Sequence, residues 1–187
     1  MFKFSTKRLA RAGIIAALYA AVTYLLAPYA YGPFQIRPAE ALTVLPLFFP
    51  EAIPGLFVGC ALANLMSGYG IYDIVFGSLI TLIAAATTFY IGKALKRNFL
   101  SVILGGLPPI LLNAVGIPVI IILVSADSWA AYITYFLQML LTQSVWIYAL
   151  GIPLFFAMKR LTAKLRFFKN NEEEEKEETI ETQESAE

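Results

Sequence analysis

The chain alternates long apolar runs with short polar segments, many of which contain proline or glycine. Apolar runs of about 20 residues are long enough to cross the hydrocarbon core of a bilayer as helices. Prolines and glycines favour breaks between such helices. The pattern predicts six helices, at about residues 12–30, 38–49, 54–66, 73–94, 99–124 and 129–158.

Two of these helices, 38–49 and 54–66, are too short to span hydrocarbon without tilt, which takes about 20 residues. A helix that ends inside the membrane exposes unpaired backbone groups, which lipid cannot satisfy and protein must cover. We therefore expect both helices to be partly buried by protein and to line a cavity. The fifth helix is expected to be interrupted at 105–109 and 116–118, and the sixth to kink at 151–153, because glycine and proline occur together there.

Composition places the chain in a membrane. Of its 187 residues, 59% are hydrophobic and 14% are charged, which leaves too little polar surface to cover a water-soluble fold. Nine of the 13 acidic residues lie at 172–187. We therefore predict an all-α integral membrane protein with a basic N-terminus at 1–11, a six-helix membrane domain at 12–169 and an acidic, disordered tail at 170–187.

Charge also predicts the orientation. If the N-terminus is cytoplasmic and six helices span the membrane, 13 of the 14 Lys and Arg residues fall on the cytoplasmic side, as the positive-inside rule requires. Both termini are then cytoplasmic in a multi-pass protein of the cell membrane. Arg37 alone is left on the outer side.

Several kinds of chemistry are disfavoured by what the sequence lacks. No histidine is present, which removes His-based acid–base catalysis and His metal sites, and no Walker A or GxGxxG motif occurs. We therefore predict no enzyme activity, no metal site, no cofactor and no nucleic-acid partner. The single cysteine, Cys60, lies in an apolar run and is interpreted as a packing residue.

Polar side chains within the apolar segments are the candidates for binding, because an ionised group at the bilayer centre costs about 2.5–3.5 kcal/mol and needs a partner. Glu40 would accept paired N–H donors of a ligand, and Arg37 would orient it or bind a ligand oxygen. An ion pair between Arg37 and Glu40 within one helical turn is the structural alternative. The other candidates are Phe34, Asn64, Tyr72, Asp73, Asn113, Gln138, Gln143 and Trp146.

For the amides among these candidates, hydrogen bonds between helices are an equal alternative. Gln138 and Gln143 point about 140° apart around a helix, so we do not expect both to face one small ligand. The aromatic candidates would either stack on a flat ligand or anchor the protein at the membrane interface.

The first helix carries two adjoining rows of small residues spaced four apart. These rows are Ala12, Ala16 and Ala20, and Gly13, Ala17 and Ala21. Such a face lets helices approach closely. It is interpreted either as ordinary packing within the chain or as a surface that docks onto another membrane protein.

The segment from Arg37 to Asn64 resembles a known family. The runs Arg37-x-x-Glu40-Ala-Leu-Thr-Val-Leu-Pro46 and Ala52-Ile-Pro54-Gly-Leu-Phe-x-Gly59-Cys-x-Leu-x-Asn64 are similar to the queuosine-precursor transporter (QueT) family. Members of this family are the substrate-binding S components of energy-coupling factor (ECF) transporters, and the resemblance covers about residues 5–165. It implies the S-component fold, with a transmembrane coupling subunit and two separate ATPase subunits as partners. It also implies that the coupling subunit engages Ala12, Ala16 and Ala20.

The resemblance further implies an importer that captures a 7-deazaguanine, preQ1 or preQ0, outside the cell. Release inward would use ATP hydrolysed by the partner subunits. A guanine-like edge offers a ring N–H and an exocyclic amine to one acceptor, a role that we assign to Glu40. The preQ1 aminomethyl group is a cation, for which Asp73 is the available acid.

Two other functions stay open. One is an S component for a different vitamin-like molecule, since one scaffold tolerates different pockets. The other is a structural membrane subunit, in which the polar residues only tie helices together.

Overall fold

The computed structural model describes residues 5–31 and 35–165. Every regular element among these residues is helical. In chain order they are α1 (Thr6–Leu25), α2 (Ala27–Ala30), a 3-10 helix (Pro38–Leu47), α3 (Ala52–Asn64), α4 (Gly70–Tyr72), a π-helical turn (Asp73–Gly77), α5 (Ser78–Ala94), α6 (Phe99–Ser125), a short 3-10 turn (Trp129–Ala131) and α7 (Tyr132–Ala149). Residues 151–165 are also helical.

The described residues divide into two compact units. Those up to Leu154 form the first unit, and the helical residues 155–165 belong to the second. The kink predicted at 151–153 corresponds to a break in the helix at Leu150. The predicted domain limits stay predictions, and the acidic tail at 170–187 lies outside the described residues.

Four helical segments of the described chain are long and apolar enough to cross a membrane, judged by length and composition. They are Thr6–Leu25, Gly70–Ala94, Phe99–Ser125 and Trp129–Leu165. Helix α3 is apolar but shorter, and the 3-10 helix Pro38–Leu47 has only ten residues. The all-helical fold with several apolar spans is confirmed, whereas the six-span count and the cytoplasmic position of both termini stay predictions.

The predicted interruptions of the fifth helix were wrong, because α6 continues as one helix through Pro108, Pro109 and Pro118. A proline lacks the N–H that would bond the carbonyl four residues earlier, and membrane helices tolerate it when a neighbour supplies a donor. Pro109 leaves the carbonyl of Gly105 without its helical partner, and the hydroxyl of Thr88 on α5 donates to that carbonyl at 2.7 Å. The neighbouring helix therefore replaces a bond that proline removes.

The 3-10 helix Pro38–Leu47 packs against α1, α3, α5, α6 and α7. Its residues 39–47 are all buried, which confirms that protein covers this short segment. A helix was predicted here, but not its 3-10 form, since 3-10 runs rarely exceed four residues. The form depends on the surrounding helices rather than on local propensity.

Glycines on neighbouring segments allow this close approach. A Cβ at Gly92 would lie 2.9 Å from the Cα of Leu47, and one at Gly105 would lie 2.9 Å from Leu47 Cδ2. A Cβ at Gly151 would lie 2.7 Å from Val44 Cγ2. These distances are too short for packed side chains, so Gly105, which suggested a helix break, is instead a contact point for the 3-10 helix.

Helices α1 and α3 also cross at small residues. A Cβ at Gly55 would lie 2.8 Å from the carbonyl oxygen of Ala12, and one at Gly59 would lie 2.9 Å from that of Ala16. Only glycine permits this approach. Ala16 and Ala20 are buried, whereas the adjoining row of small residues is exposed. Ala12 and Ala16 thus contact α3 within the chain, and the role of this row towards a partner stays a prediction.

Candidate functional site

Six polar side chains meet near the N-terminal end of the 3-10 helix, and we call them the buried polar cluster. Each is at most 5% exposed. The members are Tyr19, Arg37, Glu40, Asn64, Asp73 and Asn113. Five of them are candidates from the sequence, and the structure adds Tyr19.

Glu40 is fixed through one of its two carboxylate oxygens. The hydroxyl of Tyr19 on α1 donates to Glu40 Oε1 at 2.6 Å. Asn113 of α6 interacts with the same carboxylate, but Oε2 has no hydrogen-bond partner. One oxygen is therefore oriented by the fold and the other remains available as an acceptor.

Arg37 is held by residues other than the partners of Glu40. Its Nε donates to the carbonyl of Ala30 at 3.0 Å, and its guanidinium lies 5.1 Å from the centre of the Tyr31 ring. Its Nη2 lies 3.6 Å from Asp73 Oδ2, which is an ion pair but too long for a hydrogen bond. Arg37 therefore pairs with Asp73 rather than with Glu40, the alternative that the sequence suggested.

Asp73 begins the π-helical turn Asp73–Gly77, and single π turns are frequent at functional sites. Asn64 Nδ2 donates to the backbone carbonyl of Asp73 at 2.8 Å. Both carboxylate oxygens of Asp73 and Oδ1 of Asn64 lack hydrogen-bond partners. A Cβ at Gly77 would lie 2.8 Å from both Asp73 Oδ1 and Asn64 Nδ2, so the two side chains meet here because residue 77 is glycine.

The cluster holds five of the eight buried polar side-chain atoms that make no hydrogen bond among the described residues. Those atoms are Gln35 Nε2, Arg37 Nη2, Glu40 Oε2, Asn64 Oδ1, both Asp73 carboxylate oxygens, Gln138 Oε1 and Gln143 Oε1. Each such atom costs about 1–3 kcal/mol, and hydrocarbon supplies no water to offset that cost. Because native interiors contain few such groups, their concentration at one place makes the cluster the candidate site for a polar ligand.

Among the described residues, no hydrogen bond joins the remaining amide candidates to the cluster. Gln138 and Gln143 both belong to α7, and each has an unpartnered amide oxygen. Gln143 is buried, whereas Gln138 is half-buried. Gln35, which the sequence did not suggest, is 1% exposed and has a φ of 40°, a left-handed conformation that is strained for a residue other than glycine.

Two of the three aromatic candidates lie among the described residues. Tyr72 is 52% exposed and stacks on Phe76 with the ring centres 6.4 Å apart. Trp146 is half-buried on α7. Phe34 lies outside the described residues.

Sequence reasoning missed three residues beside the site. Tyr19 lies on the buried stripe of α1, where the spacing to Ala16 could have indicated it. Tyr31 donates its hydroxyl to the carbonyl of Ala63, and burial raises the pKa of this phenol to about 12, so it remains a donor. Cys60 accepts from the Thr81 hydroxyl at 3.3 Å and from Asn64 Nδ2 at 3.6 Å. It is thus a neighbour of the cluster as well as a packing residue.

A separate groove of about 780 Å³ lies between α1, α3 and α5. Most of its lining is apolar and includes Ala12, Ala16 and Val58, with Arg8 and Glu51 as its charged residues. No member of the buried polar cluster lines it. The groove and the cluster are therefore distinct features of the first unit.

Comparison with known proteins agrees with the resemblance seen in the sequence. A family model described as QueT transporter matches residues 9–160. The chain is 33% identical over 101 residues to the queuosine precursor transporter QueT of Lactococcus lactis subsp. cremoris (strain MG1363). That match covers 53% of this chain and 59% of the relative, and no solved structure matches. Because the family model covers most of the sequence, including the whole buried polar cluster, the chain belongs to the QueT transporter family.

Proposed function

We propose that the chain is the substrate-binding S component of an ECF importer and that it binds a queuosine precursor of the 7-deazaguanine class, preQ1 or preQ0. The family membership and the name of the Lactococcus relative support transport of such a molecule. The apolar helices support a place in the membrane. The proposal puts both termini in the cytoplasm and the cluster towards the outside, from which the precursor would enter.

The observation that carries this proposal is the half-satisfied carboxylate of Glu40. Tyr19 orients Oε1, and Oε2 makes no hydrogen bond although Glu40 is only 2% exposed. A guanine-like edge presents a ring N–H beside an exocyclic amine, and a carboxylate can accept both. Such charge-assisted hydrogen bonds are about twice as strong as neutral ones, so Glu40 would supply both affinity and orientation.

Transport requires partners in this proposal. The sequence contains no Walker A motif, so two ATPase subunits and a transmembrane coupling subunit would supply the energy. The apolar groove between α1, α3 and α5 is the surface that we assign to the coupling subunit, since Ala12 and Ala16 line it. Ala20 does not line the groove, so the predicted Ala12–Ala16–Ala20 contact would be confined to its first two members.

Calorimetry on the purified chain in detergent tests the proposal. The titrants are preQ1, preQ0, guanine and a panel of vitamins. We expect a Kd on the order of nanomolar, equivalent to about 12 kcal/mol, for at least one 7-deazaguanine and much weaker binding of guanine. Tight binding of an unrelated vitamin instead would show that the substrate is that vitamin and not a queuosine precursor. Failure of the folded protein to bind any of these molecules would favour a structural subunit.

A further inference from the structure

Gln143 on α7 is a deeply buried polar residue outside the buried polar cluster. It is 2% exposed, and its Oε1 makes no hydrogen bond among the described residues. It lies on the buried face of α7, one turn from Met139 on one side and from Ile147 on the other. An apolar side chain would fill this place without leaving an unpaired acceptor, so packing alone does not account for the amide.

Helix α6 shows the level at which Gln143 lies. Met139 packs in one apolar cluster with Ala114 of α6, and a Cβ at Gly106 would lie 3.1 Å from Ile147 Cγ2. The same number of residues separates Met139 from Ile147 as separates Gly106 from Ala114, so the two helices run antiparallel with matching spacing. Gln143, halfway between its two neighbours on α7, therefore faces α6 between Gly106 and Ala114.

The same stretch of α6 reaches the buried polar cluster. Asn113 interacts with the Glu40 carboxylate, and a Cβ at Gly105 would meet Leu47 at the other end of the 3-10 helix. The 3-10 helix therefore runs antiparallel to α6 and parallel to α7. Side chains on a helix lean towards its N-terminus, and on α7 that direction leads towards Asn113. The Gln143 amide is thus directed along α6 towards the Glu40 side of the cluster.

Two unpaired acceptors on this side of the cluster match two edges of one flat ring. Glu40 Oε2 makes no hydrogen bond, and the proposed function assigns to this carboxylate the N–H and the exocyclic amine of the six-membered ring. The fused five-membered ring of a 7-deazaguanine carries a further N–H at another edge, which the same carboxylate cannot reach at the same time. The oxygen of a glutamine amide is an acceptor for such a neutral donor.

We propose that Gln143 accepts the N–H of the five-membered ring, so that Glu40 and Gln143 fix the ring from two edges. This inference rests on the proposed function, which supplies the ring. A precursor without this N–H binds more weakly, because it leaves the buried amide oxygen unpaired. The effect does not depend on the substituent that distinguishes preQ1 from preQ0.

Calorimetric titration of preQ1 and its furan analogue into the wild-type chain, Gln143→Met and Gln138→Met tests this inference. In the furan analogue an oxygen replaces the N–H of the five-membered ring, so the donor is lost with little change of shape. Gln143→Met removes the acceptor with little change of side-chain length. Gln138 lies on the same helix and also has an amide oxygen without a hydrogen bond, but it is half-buried and points about 140° away. Gln138→Met is therefore the matched control.

We expect the wild-type chain to favour preQ1 over the furan analogue by about tenfold, because an unpaired buried acceptor costs more than a hydrogen bond returns. Gln143→Met should weaken preQ1 by a similar factor and spare the analogue, so that the preference is lost. Gln138→Met should keep the preference. Without ligand, Gln143→Met should unfold at the same temperature as wild type or a higher one, since an apolar group replaces an unpaired buried acceptor.

The outcomes separate this inference from the function on which it rests. Equal affinity of wild type for preQ1 and the furan analogue would overturn the role of Gln143 while leaving the proposed substrate class intact, and this arm needs no variant. Equal weakening of both ligands in Gln143→Met, or a lower unfolding temperature of that variant without ligand, would also overturn it, because Gln143 would then serve the fold.

Failure of both ligands to bind folded wild type would overturn the proposed function together with the inference. Folding of the variants is checked by maleimide labelling of Cys60, which is 2% exposed and should react slowly only when the protein is folded.

Discussion

The two ends of the 3-10 helix Pro38–Leu47 differ in whether the polar groups near them are hydrogen-bonded. At the C-terminal end, Arg97 donates from Nε to the carbonyl of Leu47 at 3.0 Å and from Nη2 to that of Phe48 at 3.2 Å. Close to that end, Arg11 bonds Glu51 at 2.8 Å. At the N-terminal end, the acids and the arginine of the buried polar cluster keep unpartnered atoms although they are more deeply buried.

This difference distinguishes polar contacts that hold the fold together from the polar groups that we propose bind a ligand. A fold that only needed to anchor the helix would satisfy both ends, because an unpaired buried group costs more than a hydrogen bond returns. The chain does satisfy the C-terminal end, even at the cost of two successive residues, Lys96 and Arg97, with φ of 51° and 56°, a strained region for residues other than glycine. We infer that the unsatisfied end is where binding occurs.

The largest predicted effect contrasts Glu40, in the first turn of the helix, with Glu51, which follows the helix in the chain. Glu40→Gln removes the buried charged acceptor, and we expect preQ1 affinity to fall by about 100-fold or more. Glu51→Gln weakens a pair whose partner, Arg11, is 54% exposed in its side chain, and exposed pairs contribute about 0–1 kcal/mol. Its effect on affinity should stay within about threefold.

Titration calorimetry of both variants in the same detergent measures this contrast. Slow maleimide labelling of Cys60 is the control for folding. Equal losses of affinity in the two variants would contradict the division between a binding end and a structural end.

The second prediction concerns stability at the C-terminal end. Arg97→Ala removes two hydrogen bonds from a charged donor, so we expect the free energy of unfolding to fall by about 2–3 kcal/mol. Arg97→Lys retains the charge but not the two-pronged geometry and should recover part of that loss. Unfolding is followed by circular dichroism in detergent. If Arg97→Ala kept its stability but lost preQ1 binding, Arg97 would belong to the binding site. That result would contradict its assignment to the structural end of the helix.

The smallest predicted effect tests how Glu40 is oriented. Tyr19→Phe deletes the donor to Oε1, and a hydrogen bond to a charged group contributes about 1.5–3 kcal/mol, so preQ1 affinity should fall by about tenfold. The matched control is Tyr24→Phe, because the Tyr24 hydroxyl donates to the carbonyl of Leu62 outside the cluster. Calorimetric affinities that are the same for the two variants would show that Tyr19 does not position Glu40.

Most of the helices could be predicted from the sequence, because apolar length is a local property. Helices α1, α5, α6 and α7 each overlap a predicted span. The continuity of α6 could not be predicted, since it depends on a hydroxyl from Thr88 that reaches Gly105 from another helix. The 3-10 form of Pro38–Leu47 was missed for a similar reason, because glycines on neighbouring segments set the space around it.

The sequence predicted most residues of the candidate site but not the contacts between them. Arg37, Glu40 and Asp73 were identifiable because charges are rare in the apolar part of this chain. The sequence alone therefore determined that the chain forms apolar helices and that these few charges would need partners. Only the tertiary structure decided that Arg37 forms an ion pair with Asp73, that Tyr19 orients Glu40 and that five polar atoms of the cluster make no hydrogen bond. Those outcomes depend on distances between residues far apart in the chain, which packing sets and local sequence does not.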